Sequence, residues 1–279
     1  MDEVFVNQLK QNDALHLETE EYVLYGMGTA FGSQTPVNRF RRLDKATEVW
    51  EQVDFPFAGT IGSWTAGNYF GGGSTVKLIP MENELSLTSN VYSFDGEINL
   101  VTTMPEALLG SIGHLINNTL YVYSGLRKDR TRNMNILSFD LTSQEWSTSQ
   151  IANFFFEEET VSWTYEGKAY FLAQDGRIII NDPITNEWSI EGDIYPSTIA
   201  SDGLAIRNND KVYVGLFNQR KSIFELDLNT LSWKTKNSYE GSITDVSSAG
   251  WVNDDVIYVL KNPVENTPPT VWSFRPEAF

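Results

Sequence analysis

The stretch Asn135-Ile136-Leu137-Ser138-Phe139-Asp140-Leu141-Thr142-Ser143-Gln144-Glu145-Trp146 decides the fold, because an apolar run ends in Asp and a Trp follows six residues later. The same spacing joins Asp44 to Trp50, Asp182 to Trp188 and Asp227 to Trp233, with Thr47, Ser143, Thr185 and Thr230 midway. Asp at the start of a turn accepts hydrogen bonds from backbone amides just ahead of it, a hydroxyl caps the same turn, and Trp opens the next strand with its ring free to pack. Short β-type runs recurring every roughly 40 to 50 residues mark a β-propeller, one blade per repeat.

Two weaker copies set the blade count. Val91-Tyr92-Ser93-Phe94-Asp95 keeps the Asp but has Val101 in the Trp position, and Val271-Trp272-Ser273-Phe274-Arg275 replaces the Asp. The expectation is one all-β domain over residues 1–279: a six-bladed propeller with blades near 14–53, 62–101, 113–149, 161–191, 203–236 and 249–279. The last copy runs out before its Trp position, which would leave an open sheet edge. Glu3-Val4-Phe5-Val6 resembles Glu48-Val49-Trp50-Glu51, so residues 3–9 are expected to close the last blade with Phe5 in the missing aromatic position.

Within each blade, strand a is read from Ala14–Leu17, Gly62–Thr65, Gly113–Ile116, Val161–Thr164, Gly203–Ile206 and Ala249–Val252. Polar turns such as Asn117-Asn118 and Asp254-Asp255 follow, where positive φ is tolerated. Strand b then carries a Tyr in every copy, for example Leu120-Tyr121-Val122-Tyr123.

With Gly26-Met27-Gly28, Gly71-Gly72-Gly73 and Gly125 ending strand b ahead of the Asp-to-Trp hairpins, the chain resembles the kelch-repeat propellers along nearly its whole length. It departs from that pattern at Ala173, Gly215-Leu216 and Leu260-Lys261. The resemblance implies a recognition scaffold for a protein or glycan. It also implies two alternatives: a carbohydrate-active enzyme similar to the sialic-acid mutarotases, with Arg and Glu at the channel mouth, or a structural spacer in a surface assembly.

Composition narrows the chemistry. The formal net charge of −17 repels phosphate backbones and anionic lipid, so neither nucleic-acid binding nor membrane insertion is expected. Absence of cysteine excludes disulfides, thiolate metal sites and the Tyr–Cys copper centre of galactose-oxidase-like kelch propellers. The two histidines, His16 and His114, read as packed inner-strand residues, with His114 in the slot of Trp163 and Trp251 and His16 beside its equivalent. No cofactor or metal is expected, and a monomer is. Met1-Asp2-Glu3 is acidic and no apolar run follows it, so the start of this sequence is not expected to act as a secretory signal, yet an exported setting is favoured over a cytoplasmic one.

Function is therefore sought in the loops. Antiparallel strands alternate direction, so the b-to-c and d-to-a connections share one face. There Arg127-Lys128-Asp129-Arg130-Thr131-Arg132 is the dense basic stretch of an acidic chain, and Phe154-Phe155-Phe156-Glu157-Glu158-Glu159 is the next connection. The expected ligand contacts are Arg127, Arg130 and Arg132 to a carboxylate, with Phe154, Phe155, Phe156, Tyr195 and Tyr239 as apolar surface. The competing reading is that the two loops neutralise each other through weak salt bridges. Phe55 and Phe57 lie on the same kind of connection.

Overall fold

The computed structural model of the chain describes residues 11–12, 14–30, 35–76, 85–151, 154–157, 160–240, 245–263 and 270–276. The chain divides into two compact units, one spanning Gln11–Glu158 and the other containing Glu159–Phe279. The first holds three four-stranded antiparallel meanders: Leu15–Glu18, Tyr22–Gly26, Arg39–Asp44 and Val49–Asp54; Trp64–Ala66, Tyr69–Gly71, Asn90–Phe94 and Ile98–Thr103; Ile112–Ile116, Thr119–Tyr123, Asn135–Asp140 and Glu145–Gln150. A two-stranded pair, Gln11–Asn12 with Thr29–Ala30, adjoins them. The second unit holds two four-stranded meanders, Ser162–Tyr165, Lys168–Leu172, Ile178–Asp182 and Glu187–Glu191, then Leu204–Asn208, Lys211–Gly215, Ile223–Asp227 and Ser232–Thr235. A three-stranded sheet of Asp245–Asn253, Val256–Pro263 and Thr270–Phe274 follows. The closing strand expected at residues 3–9 lies outside the described residues.

The Asp-to-Trp hairpins repeat one piece of chemistry. Asp44 Oδ1 accepts from the Ala46 and Thr47 amides at 3.0 and 2.9 Å, and Asp140 Oδ1 from Thr142 and Ser143 at 2.8 Å each. Asp182 and Asp227 do the same with Ile184 and Thr185, and with Asn229 and Thr230. These bonds hold the Asp44, Asp140 and Asp227 carboxyls below their ordinary range. Each turn then places its next residue left-handed, at Glu48, Gln144, Asn186 and Leu231. Gln144 is exposed with φ 59°, a conformation glycine adopts without steric cost. Gln144→Gly is therefore expected to raise stability by about 1 kcal/mol, seen as a small rise in melting temperature; a lowered melt would contradict the strain.

The inner hairpins turn at Asn117-Asn118, Glu166-Gly167 and Asp254-Asp255 with positive φ at both central residues, the geometry of type I′ turns. In the a–b ladders Trp64 pairs with Gly71, His114 with Tyr121, Trp163 with Tyr170, Ile206 with Tyr213 and Trp251 with Tyr258, each the third pair from its turn. In the first sheet Thr19 N donates to the Tyr22 carbonyl at 2.8 Å ahead of the Glu18–Val23 pair, so Leu17, buried in the layer toward the second sheet, takes that slot and His16 stands beside it.

Side chains leave each sheet on both faces, and the core lies between neighbouring sheets within each unit. Leu15, Leu24, Met27, Phe40, Phe55, Phe70 and Tyr92 fill one such layer, and Trp64, Val91, Leu120, Val122 and Phe139 the next. The outer side chains Trp50, Trp146, Trp188 and Trp233 are half-buried, since a sheet's last strand has solvent beyond it. Their rings still bridge blades: Trp146 Nε1 donates to Thr102 Oγ1 at 3.3 Å, and Trp233 Nε1 to the Asp193 carbonyl at 2.9 Å. Val101, which stands where a Trp was missing, falls in a bulge between Leu100 and Thr102.

Candidate functional site

The basic stretch forms a tight turn, with the Arg130 amide donating to the Arg127 carbonyl at 2.9 Å and the Arg127 amide to the Thr131 carbonyl at 2.9 Å. Asp129 Oδ1 caps it, accepting from the Thr131 hydroxyl at 2.6 Å and amide at 3.0 Å, which keeps its carboxyl well ionised. Arg127 is tied into the fold: Nε meets Glu106 at 2.7 Å, Nη1 the Arg132 carbonyl at 2.6 Å and Nη2 Asn133 Oδ1 at 3.1 Å. Asn133 is itself fully buried and donates to the Ser124 and Asn135 carbonyls. A guanidinium with that many partners fixes a loop.

Arg132 is placed differently. Its side chain is 60% exposed, its guanidinium lies 4.3 Å from the centre of the Phe155 ring, and Nη2 approaches Glu157 at 3.2 Å. Phe154 and Phe156 stack at 6.4 Å, but Phe156 is buried and its amide donates to Ser124 Oγ at 3.1 Å, so it anchors the connection that presents Phe155. The structure therefore brings Arg127, Arg130, Arg132 and Phe154–Phe156 into one unit on adjoining connections. Tyr195 and Tyr239 belong to the other unit and are buried: Tyr195 packs edge-on against Phe217, Phe224 and Trp233, and Tyr239 against Trp272. Burial also pushes the Tyr195 hydroxyl well above its ordinary pKa.

Both histidines are interior bases. Burial lowers His114 to about 3; burial, then the nearby Lys45 ammonium, lowers His16 to about 4. His16 is partly exposed as a residue, yet its Nε2 is sealed from solvent. Among the described residues, no group of three or more His, Asp or Glu side chains is placed to hold a metal ion, and no helix is long and apolar enough to cross a membrane.

The sequence did not single out a cleft of about 460 Å³ between the first two sheets, on the same set of connections. Phe57 and Ala58 come from the d-to-a connection, Met27 from the b-to-c connection of the first sheet, and Thr75, Leu87, Thr88 and Ser89 from that of the second. Phe70 and Tyr92 stack at 5.4 Å, and Phe57 lies 5.0 Å from Tyr92. Asn90 Nδ2 donates to Tyr92 Oη at 2.8 Å. Gly71 allows this closeness, since a Cβ there would come within 2.5 Å of the Asn90 carbonyl oxygen. Gly72, at φ 65°, turns the chain where a Cβ would meet the Leu108 carbonyl at 2.9 Å. The glycine run was the available signal. Leu85 N donates to the Lys128 carbonyl at 2.8 Å, which joins the connection walling the cleft to the basic turn.

No family model and no curated protein matches the sequence. In three dimensions the chain is similar to a solved structure titled "Structure of YjhT", with a TM-score of 0.70 and 13% identity over 95% of this chain and 98% of that one. The chain folds as a six-bladed β-propeller. At that identity the likeness concerns the fold, and the chemistry of the face rests on the residues described above.

Proposed function

We propose that the chain is a recognition scaffold of kelch-like type, binding a protein or glycan through the face that carries the b-to-c and d-to-a connections. The observation that carries this reading is the Arg132–Phe155 pair. An exposed guanidinium held over an aromatic ring, on a turn braced by Arg127 and Asp129, presents a preorganised contact for a carboxylate beside an apolar surface. Local positive charge on a chain of net charge −17 gives such a contact selectivity for an acidic group. Arg127, Arg130 and Phe156 support the loop in this scheme, while Arg132, Phe155 and Phe154 meet the ligand.

The test is a screen of immobilised glycans and protein fragments with the whole chain, followed by titration of the strongest binder against Arg132→Ser and Phe155→Ser. Each variant is expected to lose roughly tenfold in affinity at low salt, and the Arg132 effect should shrink at high salt as the charge contact is screened. Unaltered affinity in both variants would overturn the assignment of this contact.

A further inference from the structure

We infer that the cleft between the first two sheets is a binding site for an uncharged saccharide; this rests on reading the loop face as a recognition surface and names the ligand chemistry of a part of it. The floor is the outer end of an aromatic stack, in which Phe57 lies 5.0 Å from Tyr92 and Tyr92 5.4 Å from Phe70, the last two being buried behind it. Phe57, at the edge of the stack, is 38% exposed, so its ring meets solvent unless something covers it. The C–H face of a pyranose is apolar and flat enough to cover the exposed Phe57 ring, and its hydroxyls then point outward to the walls.

The walls suit those hydroxyls. Thr60, Ser63, Thr75, Thr88, Ser89 and Asn90 line the cleft, each able to donate or accept. Asn90 uses Nδ2 on Tyr92 Oη, which leaves the amide oxygen as an acceptor and the Tyr92 hydroxyl hydrogen as a donor at the floor. Thr60 Oγ1 and Ser63 Oγ are 2.7 Å apart, and Ser63 donates to the Gly72 carbonyl at 2.9 Å, so these hydroxyls are held in place before a ligand arrives.

Charge selects within the sugars. Among the described residues that line the cleft, none is Lys, Arg, Asp, Glu or His, so these walls offer no counter-ion to an acidic or basic ligand, and a charged group against them would lose hydration without compensation. The volume, about 460 Å³, is that of a small-ligand site. A neutral polyol ring satisfies all of these conditions together.

The experiment is to probe the full chain on an array of neutral gluco-, galacto- and N-acetylglucosamine oligosaccharides alongside sialylated and sulfated ones, then to titrate the best-retained neutral member calorimetrically. Binding that does not change with salt is expected, weakened roughly tenfold by Phe57→Ala and several-fold by Tyr92→Phe. Both variants are expected to stay folded with a melt lowered by a few degrees at most, since Tyr92→Phe removes the acceptor of the Asn90 amide and Phe57→Ala the ring contacts with Phe55 and Tyr92. Retention of no neutral sugar, retention of charged sugars alone, or neutral binding indifferent to both variants would overturn the inference. Binding lost in Arg132→Ser but kept in Phe57→Ala and Tyr92→Phe would overturn it while leaving the scaffold reading intact, whereas a chain that captures no glycan and no protein fragment fails both.

Discussion

Lowering the pH from neutrality toward 4 is expected to destabilise the protein by several kcal/mol, starting below the ordinary imidazole pKa of 6.5. The cause is His114, buried and lowered to about 3, with His16 adding to it from about 4. Between its folded value and 6.5, each histidine is neutral in the native state and protonated in the unfolded chain, so unfolding takes up protons. Stability is then full above about 6.5 and falls as pH drops toward the folded values, for His114 by an amount on the order of 3–5 kcal/mol. The hairpin aspartates act in the same direction at lower pH, since a depressed carboxylate contributes stability that is lost as it protonates. Denaturant midpoints measured across this range check the expectation. His114→Phe, which fills the same slot without a titrating nitrogen, should flatten the upper part of the profile. A wild-type midpoint constant between pH 7 and 5 would show that these imidazoles are hydrated.

Glu225→Ala is expected to cost about 3–5 kcal/mol, because it would strand a buried ammonium. Glu225 lies between Lys236, at 3.1 Å, and Lys211, at 3.2 Å, and the Lys236 side chain is only 3% exposed. Burial opposes ionisation of Glu225, but the two lysine contacts outweigh it and hold the carboxyl below its usual range. Without Glu225, Lys236 Nζ would retain its bond to the Pro276 carbonyl, a neutral acceptor. A melting decrease on the order of 10 °C follows from that cost for a chain of this size. Lys211→Ala, at a side chain 40% exposed, should cost under about 1 kcal/mol. Equal effects in the two variants would mean that burial is not what distinguishes the two lysines. Replacing Glu225 and Lys236 together by Leu and Met should recover most of the loss, since the desolvation cost of the pair disappears with it.

The blades were legible in the sequence because their defining bonds are local. Asp140 reaches amides two and three residues ahead, and Trp146 follows in the same hairpin, so composition and spacing alone carry the geometry. Burial of the Trp rings was not legible in this way, since it depends on what lies beyond the last strand of each sheet. The role of Arg127 was hidden for a similar reason: its partner Glu106 stands 21 residues upstream on another connection. The cleft was the least readable feature. Met27, Phe57, Phe70 and Tyr92 come from four separate segments and look like ordinary core residues one by one; only the meeting of two sheets makes a floor of them. Tyr195 and Tyr239, chosen for their place on connections, turned inward because their rings close the ends of the layers they cover.

Each four-stranded sheet completes its ladder from strands of one blade, while the layers between sheets are filled by side chains and backbone bonds cross from blade to blade at connections, as from Leu85 to Lys128. Amide protection within the strands is thus a private property of each blade and adhesion a shared one. A blade that opens transiently need not unzip its neighbour's hydrogen bonds, but it strips a slab of aromatic and aliphatic surface bare on either side. For a molecule built in this manner, the hazard of partial opening is stickiness rather than unravelling, and its high negative charge is the feature that keeps such opened molecules apart.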